Sequence, residues 1–343
     1  MNALSFQTAI FDHILEKYSN AKKPEIIDQL SDLLQIGKDG IYRRMRGETA
    51  LTVDELKIIA THFQLSLDSM IHEKSDIHLF SYNFFSLKIN SSLDYIQQIY
   101  DNMNSAYRLP GLKIYYASMD IPIVMYFGSP ELLAFKLYVY GLTSWSFKFL
   151  ENQKFRFDLF PPQIIEAAQK VTKVYNLAHS HEIWTSSMLD TTLNQLDYMV
   201  SADQFENNAD ALLICDAILN LIQHFRKMAE TGHKFPLGQT PHSDGGRFDL
   251  FHNELASTNN TVLVSSNADK MLFTTFGTPN FLKTSDAKIC DHIESWFNTL
   301  TNKSTSLSFH SEKSRNWFFN RLKKKVLWQR QHIEMHISSE TSL

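Results

Sequence analysis

The chain has 343 residues, of which 33 are Lys or Arg and 37 Asp or Glu, for a formal net charge of −4; 43% are hydrophobic and 13% aromatic. That apolar content excludes a mainly disordered chain and is enough for two or three domains. The net charge excludes a broad basic surface that coats nucleic acid, but not a local reading head.

Two lone cysteines, Cys215 and Cys290, lack the pairing of a disulfide framework or a zinc knuckle and point to a reducing compartment. The first residues carry acidic and polar side chains at helical spacing, so neither a signal nor a transit peptide is expected. The longest apolar runs, Ile121–Phe127 and Leu137–Leu142, fall far short of the ~18 residues of a membrane span. A cytoplasmic protein with no membrane partner is the expectation.

The first 72 residues read as a series of short helices. Phe6, Ile10, Phe11, Ile14 and Leu15 form one stripe over Ser5–Tyr18; a polar breaker, Ser19–Lys23, follows, and Pro24 opens a second helix with Ile26, Ile27, Leu30, Leu33 and Leu34 on one side. Gly37 and Gly47 bracket a third helix. Thr52-Val53-Asp54-Glu55 is a capping box that starts a fourth, and a brief fifth spans Ser66–Met70. Polar residues at His72–Ile77 mark a domain boundary.

Beyond it the pattern is mixed. Leu112–Ala117 and Ile121–Phe127 read as strands or buried helix ends, and Glu131–Tyr140 as a helix. Ile164–Leu177, Thr185–Val200 and Ala209–Glu230 are helical. The Gly-, Pro- and His-rich segment His233–Arg247 is a loop and a candidate sub-boundary. Thr261–Ser265 and Met271–Phe276 form a hairpin about Ser266–Asp269; a helix at Asp286–Leu300, a strand at Thr305–Phe309 and a helix from Glu312 to about Ile333 complete the chain.

The stretch Ser31–Glu48, SDLLQIGKDGIYRRMRGE, carries the functional signal. A helix ends in Leu33-Leu34, a short turn holds Ile36, and a second helix has one inward apolar residue, Ile41, and a basic outer face. In such a helix-turn-helix the second helix projects into a DNA major groove. Residues 31–48 resemble the helix-turn-helix of the lambda-repressor/Cro (XRE) family. Leu51–Met70 resembles that family's next two helices, with Ser66-Leu67-Asp68 matching the start of its fifth. Two positions depart from the family: Gln35 stands where it often has glycine, and Gly37 where it usually has a Ser or Thr cap. The resemblance implies base-reading roles for Lys38, Asp39, Tyr42, Arg43 and Arg46, and double-stranded DNA as partner.

Over residues 1–72, eight Lys and Arg face ten Asp and Glu, so the positive charge is concentrated at Lys38–Arg46. One such head binds modestly, which predicts a homodimer on a palindromic site, its two helices ~34–36 Å apart.

Elsewhere, Tyr115-Tyr116, Tyr126-Phe127, Tyr138, Tyr140, Trp145, Phe147 and Phe149 are readable as core or as the lining of a pocket for an unidentified small-molecule effector. His179, His181 and Glu182 at an apparent helix start are poor metal ligands, and no hydrolase, nucleotide-loop or dinucleotide signature is present. Glu312–Arg330 is a basic amphipathic helix with Trp317, Phe318, Leu322 and Val326 on one stripe.

The expected fold is mainly α with some β: a five-helix XRE-type domain over 1–72, then a helix-rich α+β regulatory and oligomerisation region over 78–343. The expected function is repressor-like, sequence-specific transcription regulation, with no catalytic residues, metal or cofactor. The alternatives left open are a DNA-targeted enzyme built on the His179–Glu182 region and a protein-interaction scaffold.

Overall fold

The computed structural model describes the chain except residues 1–2, 19–21, 64, 66, 72–77, 83–90, 242–243, 256–258, 268, 278 and 341–343. The breaker at 19–21, Ser66 and the boundary expected at His72–Ile77 therefore lie outside the described residues. The chain forms two compact units, Met1–Leu79 and Phe80–Leu343.

The first unit contains α1 (Ala3–Lys17), α2 (Lys23–Leu34), α3 (Lys38–Met45), α4 (Val53–His62) and α5 (Leu67–Ile71). Local chemistry delimits them. Pro24 sits in the first turn of α2, where no N–H is missed. Gln35 ends that helix in the left-handed region at φ 55°, and the Ile36 N–H closes back on the Ser31 carbonyl at 3.2 Å. Thr52 caps α4 reciprocally: Glu55 N–H donates to Thr52 Oγ1 (3.2 Å), and Thr52 N–H to Glu55 Oε2 (2.9 Å). Ile10, Phe11 and Ile14 of α1 meet Ile26, Ile27 and Leu30 of α2, Ile41 of α3 and Ile59 of α4 in one buried core.

The second unit is built on a single eight-stranded mixed sheet, in the order β1-β7-β6-β5-β2-β3-β4-β8. Its strands are β1 (Ser81–Tyr82), β2 (Lys113–Ser118), β3 (His179–Trp184), β4 (Phe248–His252), β5 (Thr261–Ser265), β6 (Lys270–Thr275), β7 (Phe281–Thr284) and β8 (Thr305–Ser306). β2, β3 and β4 are parallel; β5, β6 and β7 form an antiparallel meander beside β2. Its helices are α6 (Ser92–Tyr107), α7 (Ile123–Tyr126), α8 (Pro130–Tyr140), α9 (Pro162–Leu177), α10 (Asp190–Ser201), α11 (Asp210–Thr231), α12 (Ala287–Asn302) and α13 (Glu312–Glu340). One sheet face, with Tyr115, Ala117, Ile183, Leu263 and Leu272, packs on Cys290 and Phe297 of α12. The other, with Trp184, Phe248 and Leu250, packs into a larger core with α6–α11 and α13. Side chains alternate between the two faces, as the pleat requires.

Helix outweighs strand, 59% to 13%, in a mixed α/β arrangement. Several sequence expectations are corrected. His179–Trp184 is a central strand instead of a helix start; hidden on both faces, it shows no clean alternation and carries Glu182 inside. β4 and β7 were missed for want of a pattern long enough to read. Of the two runs readable as strand or helix end, the first is β2 and the second contains α7. The segment 233–247, apart from residues 242–243, runs between α11 and β4, and a Cβ on Gly245 would stand 1.7 Å from the Lys234 carbonyl oxygen, so only glycine fits there. On α13 the buried stripe is Phe318, Leu322, Val326 and Ile333, while Trp317 is 50% exposed. Among the described residues no helix is long and apolar enough to cross a membrane.

Candidate nucleic-acid interface

α2 and α3 are joined by the three residues Gln35–Gly37. Gly37 precedes α3 with no side chain to cap it, and Gly47, at φ 73°, turns the chain away after it. Within α3, Ile41 is completely buried and fixes the inward side.

Two polar anchors hold the helix in place. Gln7 of α1 is buried; its Nε2 donates to the carbonyls of Arg44 (2.6 Å) and Thr49 (2.8 Å), and its Oε1 accepts from the Leu51 N–H at 2.8 Å. One side chain thus ties the end of α3 and the following loop to α1. Arg44 forks onto Glu55 of α4, with Nη2 to Oε1 at 2.7 Å and Nε to Oε2 at 3.2 Å. Both side chains are largely buried, so the pair is far less screened than a surface one. Burial alone would raise the Glu55 carboxyl; the Thr52 N–H and the Arg44 guanidinium outweigh it and hold the group below the usual carboxylate range.

The remaining polar side chains of α3 face outward. Lys38, Asp39, Tyr42, Arg43 and Arg46 are all exposed, at spacings that form one stripe. Lys38 pairs with Asp28 of α2, which raises its pKa through the hydrogen bond. Arg46 Nε bonds Glu48 Oε1 at 2.6 Å, raising the guanidinium and lowering the carboxyl, while Arg43 Nε is 3.9 Å from Glu48 Oε2. Glu48 is therefore shared by two arginines of the stripe. These pairs are exposed and exchange readily with a stronger anion.

Arg44 was not among the residues singled out from the sequence; its position three residues after Ile41, on the inward flank, is the signal for its structural role. Gln7 gave no such signal, being one polar residue within an apolar stripe.

In the second unit the candidate cluster does not converge. His179 Nε2 is 3.2 Å from Asp249 Oδ2. His181 is 2.7 Å from Thr301 Oγ1 and lies against Phe251. Glu182 points to the opposite sheet face, where it accepts from Tyr175 (2.6 Å), Ser180 (2.7 Å) and Trp184 (2.9 Å). Because the segment is a strand, the two histidines do share a face, contrary to the helical reading. Among the described residues no three His, Cys, Asp or Glu side chains are grouped to hold a metal. Tyr115, Tyr126, Phe127, Tyr138, Tyr140, Trp145 and Phe147 are buried, whereas Phe149 is half exposed.

Comparison of the chain with models of known protein families, with curated proteins and with solved structures gives no match.

Proposed function

We propose that the chain is a sequence-specific DNA-binding regulator of transcription. In this reading α2 and α3 are a helix-turn-helix of the lambda-repressor/Cro type and α3 is the reading helix. The supporting observation is the division of labour on α3: Ile41 and Arg44 are spent on holding the helix, while Lys38, Tyr42, Arg43 and Arg46 stand free of the core on one stripe. Arg43 and Lys38 contact base edges, Tyr42 and Arg46 fix the helix in the groove, and Asp39 discriminates by accepting from a base amino group or repelling phosphate.

The regulator acts as a homodimer on a palindromic operator, because a head with so few cations binds weakly alone. A shallow, mainly apolar depression on the first unit, lined by Val53, Leu56, Lys57, Ala60, Thr61, Leu65 and Leu67, is the face offered to a second copy. The second unit then serves regulation or oligomerisation.

Selection from a randomised double-stranded DNA pool at ~0.15 M salt tests the reading. Wild type should enrich a palindrome. Arg43→Ala should relax one base position per half-site at a cost of about 1–3 kcal/mol without loss of fold. An equal loss on every sequence would make Arg43 a phosphate contact, and no enrichment at all would sink the regulator reading.

A further inference from the structure

α13 runs along the surface of the second unit with two unlike faces. Phe318, Leu322, Val326 and Ile333 are buried in the core, where the helix packs on α10 and α11. On the opposite side, spacings of three and four residues put Lys313, Trp317, Arg321, Lys324 and Trp328 on one narrow stripe. All five are exposed, Trp317 by 50% and Trp328 by 67%. Tryptophan is ordinarily a mostly buried residue, so two on one open stripe mark a surface that meets something.

Charge is sorted across the helix. On its flanks Lys325 is neutralised by Asp190 at 2.5 Å and Arg330 by Asp216 at 3.0 Å. Among the described residues no carboxylate pairs with Lys313, Arg321 or Lys324, and no acidic residue occurs from Lys313 to Ile333. Both rings are held by basic side chains. The Arg321 guanidinium lies 5.5 Å from the Trp317 ring centre, and the His332 ring stacks parallel on Trp328 with centres 5.7 Å apart. His252 of β4 braces Trp317 from a ring-centre distance of 5.2 Å. The two tryptophans are eleven residues apart, a rise of ~16 Å, or the length of about five stacked nucleotides.

We propose that this face of α13 binds single-stranded nucleic acid, with bases stacked on Trp317 and Trp328 and phosphates paired with Lys313, Arg321 and Lys324. Three features select this occupant. The unpaired charge is all positive, so the partner is anionic and a second copy of the same face is repelled. The cations alternate with the rings along one stripe, whereas a helix that sinks into a lipid surface keeps its apolar residues on one face and its cations on the other. A duplex holds its bases inside and offers the protruding rings nothing to stack on, while a single strand offers a flat face at every base. The stripe lies wholly within the second unit and does not depend on what the first unit binds.

The experiment is fluorescence anisotropy of a labelled oligothymidylate of about fifteen nucleotides with the full chain. Binding should be saturable at about 0.1 M salt, and three cations at roughly 0.7 each predict a slope of about −2 in log affinity against log salt. Trp328→Leu, which keeps an apolar side chain and removes the ring, should weaken binding at least about fivefold, and so should Trp317→Leu. Arg321→Gln combined with Lys324→Gln should make the slope shallower by about 1.4. These side chains are exposed, so the thermal midpoint of each variant should stay that of wild type; Trp328→Tyr, which restores a ring, should recover most of the affinity. The proposal is overturned if the oligonucleotide does not bind, if the folded variants bind it like wild type, or if Trp328→Leu weakens a duplex of equal length as much as the single strand. Sedimentation with vesicles of about 70% phosphatidylcholine and 30% phosphatidylserine should leave the chain in solution. Vesicle binding that Trp328→Leu retains and the double cation variant loses, without oligonucleotide binding, would assign the face to a lipid surface instead.

Discussion

Arg43 and Arg44 are adjacent and chemically identical, yet their environments separate their roles. Arg43 is exposed beside Glu48, whereas Arg44 is drawn inward to a fork with Glu55 and a bond to the Gly40 carbonyl. Lysine cannot reproduce a fork of two parallel bonds. Arg44→Lys should therefore destabilise the first unit by about 1–3 kcal/mol, read as a lower urea midpoint. Arg43→Lys should leave that midpoint unchanged, and equal effects of the two would refute the division of roles. Gln35 adds a conformational point: it occupies the left-handed region that glycine enters without strain, at φ 55°, in the position where the resembling family often has glycine.

At the scale of the element, α3 is short and poorly supported by its own sequence. It has eight residues, no side-chain cap and an internal glycine. A Cβ on Gly40 would make only ordinary contacts, the nearest with Ile36 Cδ1 at 3.6 Å. Gly40→Ala should therefore stabilise the helix by about 1 kcal/mol, seen as slower amide exchange through α3 and a higher urea midpoint. A drop in stability would mean that close approach, not helix propensity, governs this position. That α3 forms at all is due to tertiary anchoring by Ile41, Arg44 and the Gln7 clamp, as expected for a helix too short to persist alone.

For the whole molecule, two histidines of the second unit tie stability to pH. Burial chiefly, then Lys113, pushes His181 down to about 4; burial chiefly does the same to His224. An unfolded histidine titrates near 6.5, so as pH falls from about 6.5 towards 4 the unfolded chain takes up protons that the folded unit refuses. The histidine contribution is fully present above that window and is lost within it. The urea midpoint of the second unit should decline over this range, and His224→Gln should make the decline shallower; an unchanged decline would exclude His224 as a contributor. The dimer reading makes its own demand: light scattering should return twice the chain mass. Val53→Asp, at an 82% exposed position in the first turn of α4 where acids are favoured, should return the monomer and lose the palindrome while keeping the fold. A dimer unaffected by that change would place the interface elsewhere.

The helices of the first unit were legible along the chain because their causes are local: the stripe from Phe6 to Leu15, Pro24, the Thr52–Glu55 box and the glycines at 37 and 47 each act within a few residues. The five candidate contacts, Lys38, Asp39, Tyr42, Arg43 and Arg46, came from the family resemblance, and all five are exposed. The central sheet was not legible in the same way. β3 has both faces covered and polar Ser180 and Glu182 inside it, and their partners Tyr175 and Trp184 offset that cost only once the chain has folded. Hydrophobic period and capping reach only a few residues along the chain, whereas strand order, the inward turn of Arg44 and the pairing of buried charges depend on residues tens of positions apart, so folding alone decides them.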